Sequence, residues 1–186
     1  EAQILQISPT ATSTELSTIQ PDGDRFLFRT TPADDFQGLA VVQLAQKTPA
    51  GLGDAGAPPA DGGAPAGCSR LGIVNIDNSY GNPMADLIEE VWPKRLGRTI
   101  AIRKRIPKEL AADYKAVASE VFSATPQCLA VIAYDDVAAQ FLRDFRADAR
   151  WTQLEQSGFF FVGTDGIYTT GLLTNGAENP ADLTSK

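Results

Sequence analysis

The stretch that decides the fold is Arg70-Leu-Gly-Ile-Val-Asn-Ile-Asp-Asn-Ser-Tyr-Gly-Asn-Pro83. Residues 71–76 form a nearly continuous apolar run, which is typical of a strand covered on both faces. The polar residues 77–81 predict a sharp turn after it. Asn82 is expected to cap a helix and Pro83 to occupy its first position, where a missing N–H costs nothing. The stretch therefore predicts a strand, a turn and a helix.

This pattern recurs along the rest of the chain. Further apolar runs begin at Thr99, Leu129 and Phe159, at intervals of about 30 residues, the length of one βα repeat. Together with the run from Leu71 they are strands A (Leu71), B (Thr99), C (Leu129) and D (Phe159). Regular alternation predicts an α/β fold, a doubly wound parallel sheet in a flavodoxin-like three-layer arrangement. The common winding gives the order B-A-C-D, in which the charged strand B is an edge and the apolar strand C is central.

The predicted order places the carboxyl ends of strands A and C beside the point where the winding reverses. Open α/β sheets bind their ligands at this point. The turns there carry Tyr80 and Tyr134, and strand D contributes Asp165 nearby. We expect these three side chains to line a ligand site.

The two cysteines of the chain precede strands A and C. In the predicted order, the amino ends of these strands lie about one strand spacing apart, ~4.8 Å, which is within reach of a disulfide between Cys68 and Cys128. This disulfide would lie at the end of the sheet opposite the ligand site. The alternative is a pair of free thiols that pack as small hydrophobic side chains.

Composition excludes several classes of function. A chain of 186 residues is long enough to bury one core, and its net charge of −7 argues against a nucleic-acid partner. Histidine is absent, which removes the commonest general base and most zinc sites. No window approaches the roughly 18 apolar residues of a membrane helix. No glycine-rich phosphate motif follows any strand, so we expect no cofactor.

An enzyme on a flavodoxin-like sheet is a remote alternative. Asp135 and Asp136 suggest a phosphoacceptor or metal pair, but an acidic first helical turn explains them as well. The turn that begins at Asp77 fails as a calcium loop, because Asn82 stands where glycine is required and Ile88 where glutamate is required.

The region before strand A contains a hydroxyl-rich loop and a helix. The simplest interpretation of residues 8–14 is a loop that bonds its own backbone. Asp34 and Asp35 fall in the first turn of the helix, where the helix dipole favours negative charge. Its buried face is predicted to consist of Phe36, Leu39, Ala40 and Leu44.

Residues 48–67 consist almost entirely of glycine, proline and alanine. They offer no apolar face to offset the entropy of ordering. We expect a flexible surface insertion; a linker between two domains is the alternative.

Five motifs, in this order, resemble the type I periplasmic substrate-binding proteins of branched-chain amino-acid transport. They are Ile7-Ser-Pro-Thr-Ala-Thr-Ser-Thr-Glu-Leu16, Phe26-Leu-Phe-Arg-Thr30, Ile76-Asp-Asn-Ser-Tyr-Gly81, Ala133-Tyr134 and Phe161-Val-Gly-Thr-Asp-Gly166. Members of this family trap a solute between two hinged lobes. By the resemblance, residues 1–20 are the end of the first lobe and the hinge crossover, and residues 21–186 are the second lobe.

The resemblance also implies roles for individual residues. Thr10 and Thr12 match positions that hold the ligand carboxylate, and Tyr80 matches a tyrosine that lines the pocket. Tyr134 and Asp165 match positions that face the ligand ammonium; an aromatic face and a carboxylate are both good partners for a cation.

The implied partners are a small amphipathic ligand such as an amino acid, the first lobe of the same protein and the permease of an ABC importer. The implied location is periplasmic or extracytoplasmic, with a lipid anchor allowed on the full-length protein. A ligand-sensing ectodomain of a receptor on the same fold is the alternative. Thr14 replaces the usual proline, and residues 108–113 replace a glycine-rich segment near the pocket, so the exact ligand stays open.

Overall fold

The computed structural model describes residues 4–20, 23, 25–47, 67–170 and 172. Its strands are β1 Gln6–Ser8, β2 Leu27–Arg29, β3 Arg70–Ile76, β4 Thr99–Ile106, β5 Cys128–Ile132 and β6 Phe160–Gly163. Its helices are α1 Asp34–Ala45, α2 Gly81–Leu96, α3 Lys115–Ser123, α4 Asp135–Arg146 and α5 Trp151–Gln156, with 3₁₀ turns at Thr14–Ser17 and Asp165–Ile167. Apart from Gly67, the insertion predicted at residues 48–67 lies outside the described residues.

Strands β3 to β6 form one parallel sheet in the order β4-β3-β5-β6. This confirms the α/β fold and the predicted order B-A-C-D. Helices α1 and α2 pack on one face of the sheet, and α3 and α4 pack against each other on the opposite face. The central strands β3 and β5 are buried almost throughout, as their continuous apolar runs predict.

Strands β1 and β2 form a separate parallel pair. Ile7 is paired in register with Phe28, so the two side chains lie on the same face of this small sheet, and both are exposed. Neither strand pairs with the four-stranded sheet. The boundary predicted at residue 20 therefore falls between two paired strands.

The predicted buried face of α1 is wrong at three of its four residues: Leu39 packs against the core, whereas Phe36, Ala40 and Leu44 are exposed. Phe36 is 66% exposed. The face turned toward α2 instead includes Gly38, where an added Cβ would lie 3.0 Å from the Leu87 side chain. Because α1 is apolar on most of its circumference, the spacing of its apolar residues does not predict which face is buried. The close approach of α2 at Gly38 fixes the rotation of the helix. The buried residues of α1 are Asp34, Gly38, Val41, Val42 and Ala45.

The predicted start of α2, at Pro83, is two residues too late. The helix begins at Gly81, and the Asn78 side chain acts as its cap, since its Oδ1 accepts the N–H groups of Tyr80 at 3.0 Å and Gly81 at 2.8 Å. Asn82 is used elsewhere: its side chain accepts from Asn75 at 3.0 Å and donates to Asp77 at 2.8 Å. A neighbouring asparagine thus takes the role expected of Asn82.

The predicted disulfide between Cys68 and Cys128 is confirmed. The two Cα atoms lie 5.7 Å apart and the sulfur atoms are bonded, with both residues buried. The bond joins the residue two positions before β3 to the first residue of β5. The strand register places Cys128 beside Leu71, so the bond spans neighbouring strands, as the order required.

Candidate functional site

Tyr80 lies at the carboxyl end of β3, just before α2, and is almost completely buried. Its hydroxyl lies 2.8 Å from both Thr164 Oγ1 and Asp165 Oδ1, and the Gly166 N–H donates to it at 3.3 Å. A carboxylate only accepts, so the phenol proton goes to Asp165 and the Thr164 hydroxyl donates to the phenol. The bonding capacity of the Tyr80 hydroxyl is therefore filled.

The protonation state of Tyr80 follows from these contacts. Burial is the largest cause that raises the pKa of Tyr80; the hydrogen bond from Thr164 lowers it, and the hydrogen bond to Asp165 and the charge of Asp165 raise it. The phenol thus stays neutral and acts as a fixed link between β3 and the turn after β6.

Tyr134 supplies an aromatic surface at this edge. It precedes α4 at the carboxyl end of β5, and its ring stacks on that of Tyr80 with centroids 5.6 Å apart and planes 10° apart. Tyr134 is 43% exposed, whereas Tyr80 is buried beneath it. The Asn78 amide donates to the Tyr134 hydroxyl at 3.5 Å. The Tyr134 ring is thus partly exposed to solvent and is supported by the buried Tyr80 ring.

Asp165 begins the 3₁₀ turn after β6 and is exposed. Gly166 holds this turn close to the two tyrosines, because a Cβ at Gly166 would lie 2.6 Å from the Ala133 carbonyl oxygen and 3.1 Å from the Tyr80 hydroxyl oxygen. The structure therefore brings together three of the predicted site residues, Tyr80, Tyr134 and Asp165, at the carboxyl edge of the sheet. Their contact with a ligand stays a prediction.

The other two predicted residues, Thr10 and Thr12, lie on the segment after β1. The Thr12 carbonyl accepts from the Asp34 N–H at 2.9 Å and from the Arg29 guanidinium at 3.1 Å, at the amino end of α1. The hydroxyl of the next residue, Ser13, donates to the Ser79 carbonyl at 3.3 Å. Thr12 is thereby fixed beside the turn that carries Tyr80.

Thr10 is exposed, and its N–H donates to Ser8 Oγ at 3.4 Å. The Ala11 N–H donates to the same oxygen at 3.0 Å. These bonds match the interpretation of the segment as a hydroxyl-rich loop that bonds its own backbone. The role predicted for Thr10 in ligand binding is supported by no contact with the site among the described residues.

Sequence reasoning missed three polar residues of this edge. Thr164 is buried against the Tyr80 hydroxyl, and Gln37 Oε1 lies 3.5 Å from the same hydroxyl. Asp34 is 1% exposed. Burial is the main cause that raises the pKa of Asp34, partly offset by the Thr12 hydroxyl, and the nearby charge of Asp165 raises it further. Thr164 adjoins Asp165 in sequence, but nothing in the sequence separates Asp34 from its neighbour Asp35.

The edge can offer carboxylate charge and an aromatic face to a cationic group. The nearest cation, Arg29, is engaged with backbone, because it donates to the carbonyls of Thr12 and Ser13 and also to the Ser17 hydroxyl. Within the described ranges, no group of three or more His, Cys, Asp or Glu side chains is placed to hold a metal ion. No helix in that part of the chain is long and apolar enough to cross a membrane.

A surface pocket lies between the β1–β2 pair and the Thr14–Ser17 turn. It is lined by Ser8, Leu16, Ser17, Gln20, Arg25, Leu27, Phe28 and Arg29. None of the five predicted ligand residues lines it, so it does not belong to the candidate site.

No protein-family model and no curated protein matches this sequence. Solved structures do match. One is the solute-binding protein of an ABC transporter from Rhodopseudomonas palustris HaA2 in complex with p-hydroxybenzoic acid, at TM-score 0.66 and 11% identity; the alignment covers 90% of this chain and 38% of that one. Another is a putative branched-chain amino acid ABC transporter protein from Rhodospirillum rubrum, at TM-score 0.63 and 19% identity, with 94% of this chain and 42% of that one covered.

A third match is an ABC-type branched-chain amino acid transporter protein from Rhodopseudomonas palustris CGA009, at TM-score 0.56 and 14% identity, with 86% of this chain and 36% of that one covered. The chain thus spans about two fifths of the length of the proteins it matches. Identities this low establish the fold and leave the ligand open. This chain has the fold of one lobe of the ABC-transporter solute-binding proteins.

Proposed function

We propose that this chain is the second lobe of an extracytoplasmic solute-binding protein of an ABC importer. The proposed solute is a small amphipathic molecule of the amino-acid class. The observation that carries the proposal is the half-exposed Tyr134 ring beside the exposed Asp165 carboxylate, both fixed by the buried Tyr80. Rigid support of this kind limits the entropy lost when a ligand binds.

The β1–β2 pair supports the presence of a second lobe. Ile7 and Phe28 are exposed on the same face of this pair, and Phe36 is exposed at the start of α1. A two-stranded sheet is marginally stable alone and needs a partner for its apolar face. We propose that the first lobe covers this face and that the division between the lobes follows Arg29 rather than residue 20. The length of the matched proteins leaves room for such a lobe.

The charge of the edge favours a solute with an ammonium group over a purely anionic one. Asp165 lies at the surface and Asp34 is buried near it, whereas the Arg29 guanidinium is engaged with carbonyl groups. An aromatic ring and a carboxylate together attract a cation in a closed, partly dry cleft. A hydroxybenzoate, the ligand of one matched protein, offers no cation to these groups.

Calorimetry of the two-lobed protein tests this proposal. We expect L-leucine, L-isoleucine or L-valine to bind more tightly than 4-hydroxybenzoate. We also expect Asp165→Ala to weaken binding of the amino acid by about tenfold or more, the loss of one charge-assisted hydrogen bond. Glu155→Ala removes an exposed carboxylate from α5 and serves as the matched control.

Three results would contradict the proposal. Equal amino-acid binding by the wild type and a folded Asp165→Ala variant would remove Asp165 from the site. Tighter binding of 4-hydroxybenzoate than of any amino acid would reject the class of solute. Turnover of a bound amino acid would favour the enzyme alternative instead.

A further inference from the structure

Asp34 is a buried carboxylate whose side-chain oxygens complete no hydrogen bond within the described ranges, although the Thr12 hydroxyl lies close enough to lower its pKa. It is 1% exposed, and neither of its side-chain oxygens accepts a hydrogen bond from any residue that the structure describes. Buried polar groups are almost always hydrogen-bonded, because an unpaired one forfeits the bonds that it makes in water. An unpaired carboxylate in this position therefore indicates a donor that is not among the described residues.

A purely structural role does not account for Asp34. A carboxylate in the first turn of a helix stabilises it by binding free N–H groups or by facing the positive end of the helix dipole. The Asp34 oxygens bind no N–H group, and the residue's own N–H already donates to the Thr12 carbonyl. The exposed neighbour Asp35 lies in the same turn and supplies charge to the dipole without being buried.

The surroundings of Asp34 identify the kind of donor that is missing. The charges of Asp165 and Asp35 make the environment of Asp34 more negative, and the Arg29 charge offsets this in part. Because Arg29 directs its donors to two carbonyls and a serine hydroxyl, it leaves the carboxylate without a hydrogen bond. Two neighbouring carboxylates are stabilised by a cation between them.

The position of Asp34 connects it to the candidate site. Thr12, one of the predicted ligand residues, lies beside Asp34. The Thr12 carbonyl accepts from the Asp34 N–H at 2.9 Å, and the Thr12 hydroxyl lowers the pKa of the Asp34 carboxyl. One turn further along α1, the Gln37 side chain reaches the Tyr80 hydroxyl at 3.5 Å, and that hydroxyl binds Asp165. Asp34 therefore lies close to two of the predicted ligand residues, Thr12 and Asp165.

We propose that Asp34 is a second ligand-binding carboxylate of this lobe, which receives the ammonium group of the solute together with Asp165. This rests on the proposed function. Asp34 is then a determinant of specificity: it selects solutes that carry a cation and rejects otherwise identical solutes that lack one, because its carboxylate stays unpaired with the latter.

Matched ligands and matched variants of the two-lobed protein test this assignment. L-Leucine and 4-methylpentanoate differ by the ammonium group alone, as do L-valine and 3-methylbutanoate. We expect Asp34→Asn to weaken amino-acid binding by about tenfold or more while it changes the affinity for the deaminated acid by less than about twofold. Asp35→Asn, one residue away and exposed, is expected to change neither affinity by more than about twofold.

Thermal unfolding of the ligand-free protein supplies the readout that separates binding from structure. Asp34→Asn is expected to raise the unfolding temperature, because it removes an unpaired buried charge. Unchanged selectivity for the ammonium group in a folded Asp34→Asn protein would overturn the assignment. Equal loss of both ligands with a lower unfolding temperature would overturn it in favour of a structural role. A wild type that binds none of these amino acids would instead overturn the proposed function, and this assignment with it.

Discussion

The two ends of the central sheet are built in opposite ways. At the amino end, the Cys68–Cys128 disulfide is accompanied by Gln127, whose Oε1 accepts from the Ser69 N–H at 2.8 Å and the Arg70 N–H at 3.2 Å. At the carboxyl end, Tyr134 is only half covered and Asp34 has no hydrogen-bond partner among the described residues. The amino end is held by a disulfide and by hydrogen bonds, whereas the carboxyl end has an exposed aromatic ring and a carboxylate that completes no hydrogen bond within that described part of the chain.

This difference agrees with the proposed position of the ligand site at the carboxyl end of the sheet. Unpaired buried charge lowers stability, so a lobe that keeps Asp34 unpaired needs compensation elsewhere. The disulfide and the buried strands β3 and β5 supply stability at a distance from the candidate site. Three measurements test whether the two ends of the sheet differ in this way.

The largest effect is expected from removal of the disulfide. The double substitution Cys68→Ser and Cys128→Ser frees a loop closed by residues 60 apart in sequence, which corresponds to a loss of ~4 kcal/mol in the free energy of unfolding. Urea unfolding of the oxidised wild type and the double variant measures this loss. If the disulfide acts only at its own end, ligand affinity of the folded variant stays within about twofold. A large change in affinity would show that the two ends are coupled.

A smaller loss is expected from Tyr80→Phe. The change deletes the hydroxyl that binds Thr164 and Asp165 and leaves the buried Thr164 hydroxyl without this partner. We expect the free energy of unfolding to fall by about 1–2 kcal/mol in urea. Tyr168→Phe is the control, because Tyr168 is 92% exposed and its change should stay within about 0.5 kcal/mol. Equal effects of the two substitutions would show that the Tyr80 network adds nothing to stability.

The smallest effect is a dependence of stability on pH that originates at Asp34. Its folded-state pKa lies above the ordinary value of 3.8, so its ionisation destabilises the fold as pH rises from that value through the raised pKa. The charges that act on it are Asp165, Asp35 and Arg29. The Thr12 hydroxyl and the Arg29 charge lower the pKa of Asp34 and so offset part of the cost of burial.

The measurement compares unfolding free energies of the wild type and Asp34→Asn between pH 4 and pH 8. The stability advantage of Asp34→Asn should grow with rising pH and then level off. An advantage that is constant over this range, or one that shrinks as pH rises, would contradict the burial of an ionisable carboxyl at Asp34.

The sequence predicted the sheet well because strand burial has a simple sequence pattern. The continuous apolar runs beginning at Leu71 and Leu129 located the central strands, and their order followed from a general rule of winding. The disulfide followed from that order, since Cys68 and Cys128 stand at equivalent places before neighbouring strands. The association of Tyr80, Tyr134 and Asp165 was predictable for the same reason, because each residue follows a strand whose position in the sheet was predicted.

Side-chain environments that depend on helix orientation were not predictable. Asp34 and Asp35 are the same residue type in the same first turn, yet one is buried and the other exposed. Which of them faces inward depends on the rotation of α1, and its apolar residues do not fix that rotation. The error in the buried face of α1 and the failure to identify Asp34 therefore have one cause.

Gly166 has a consequence for how this site tolerates change. It carries no side chain, yet substitution there would press on the Ala133 carbonyl and the Tyr80 hydroxyl at once. Tyr134 and Asp165 are exposed, and replacements there need displace no backbone. Under the proposed function, ligand preference on this scaffold can diversify at positions 134 and 165, whereas a glycine at position 166 keeps the turn that carries Asp165 close to Tyr80.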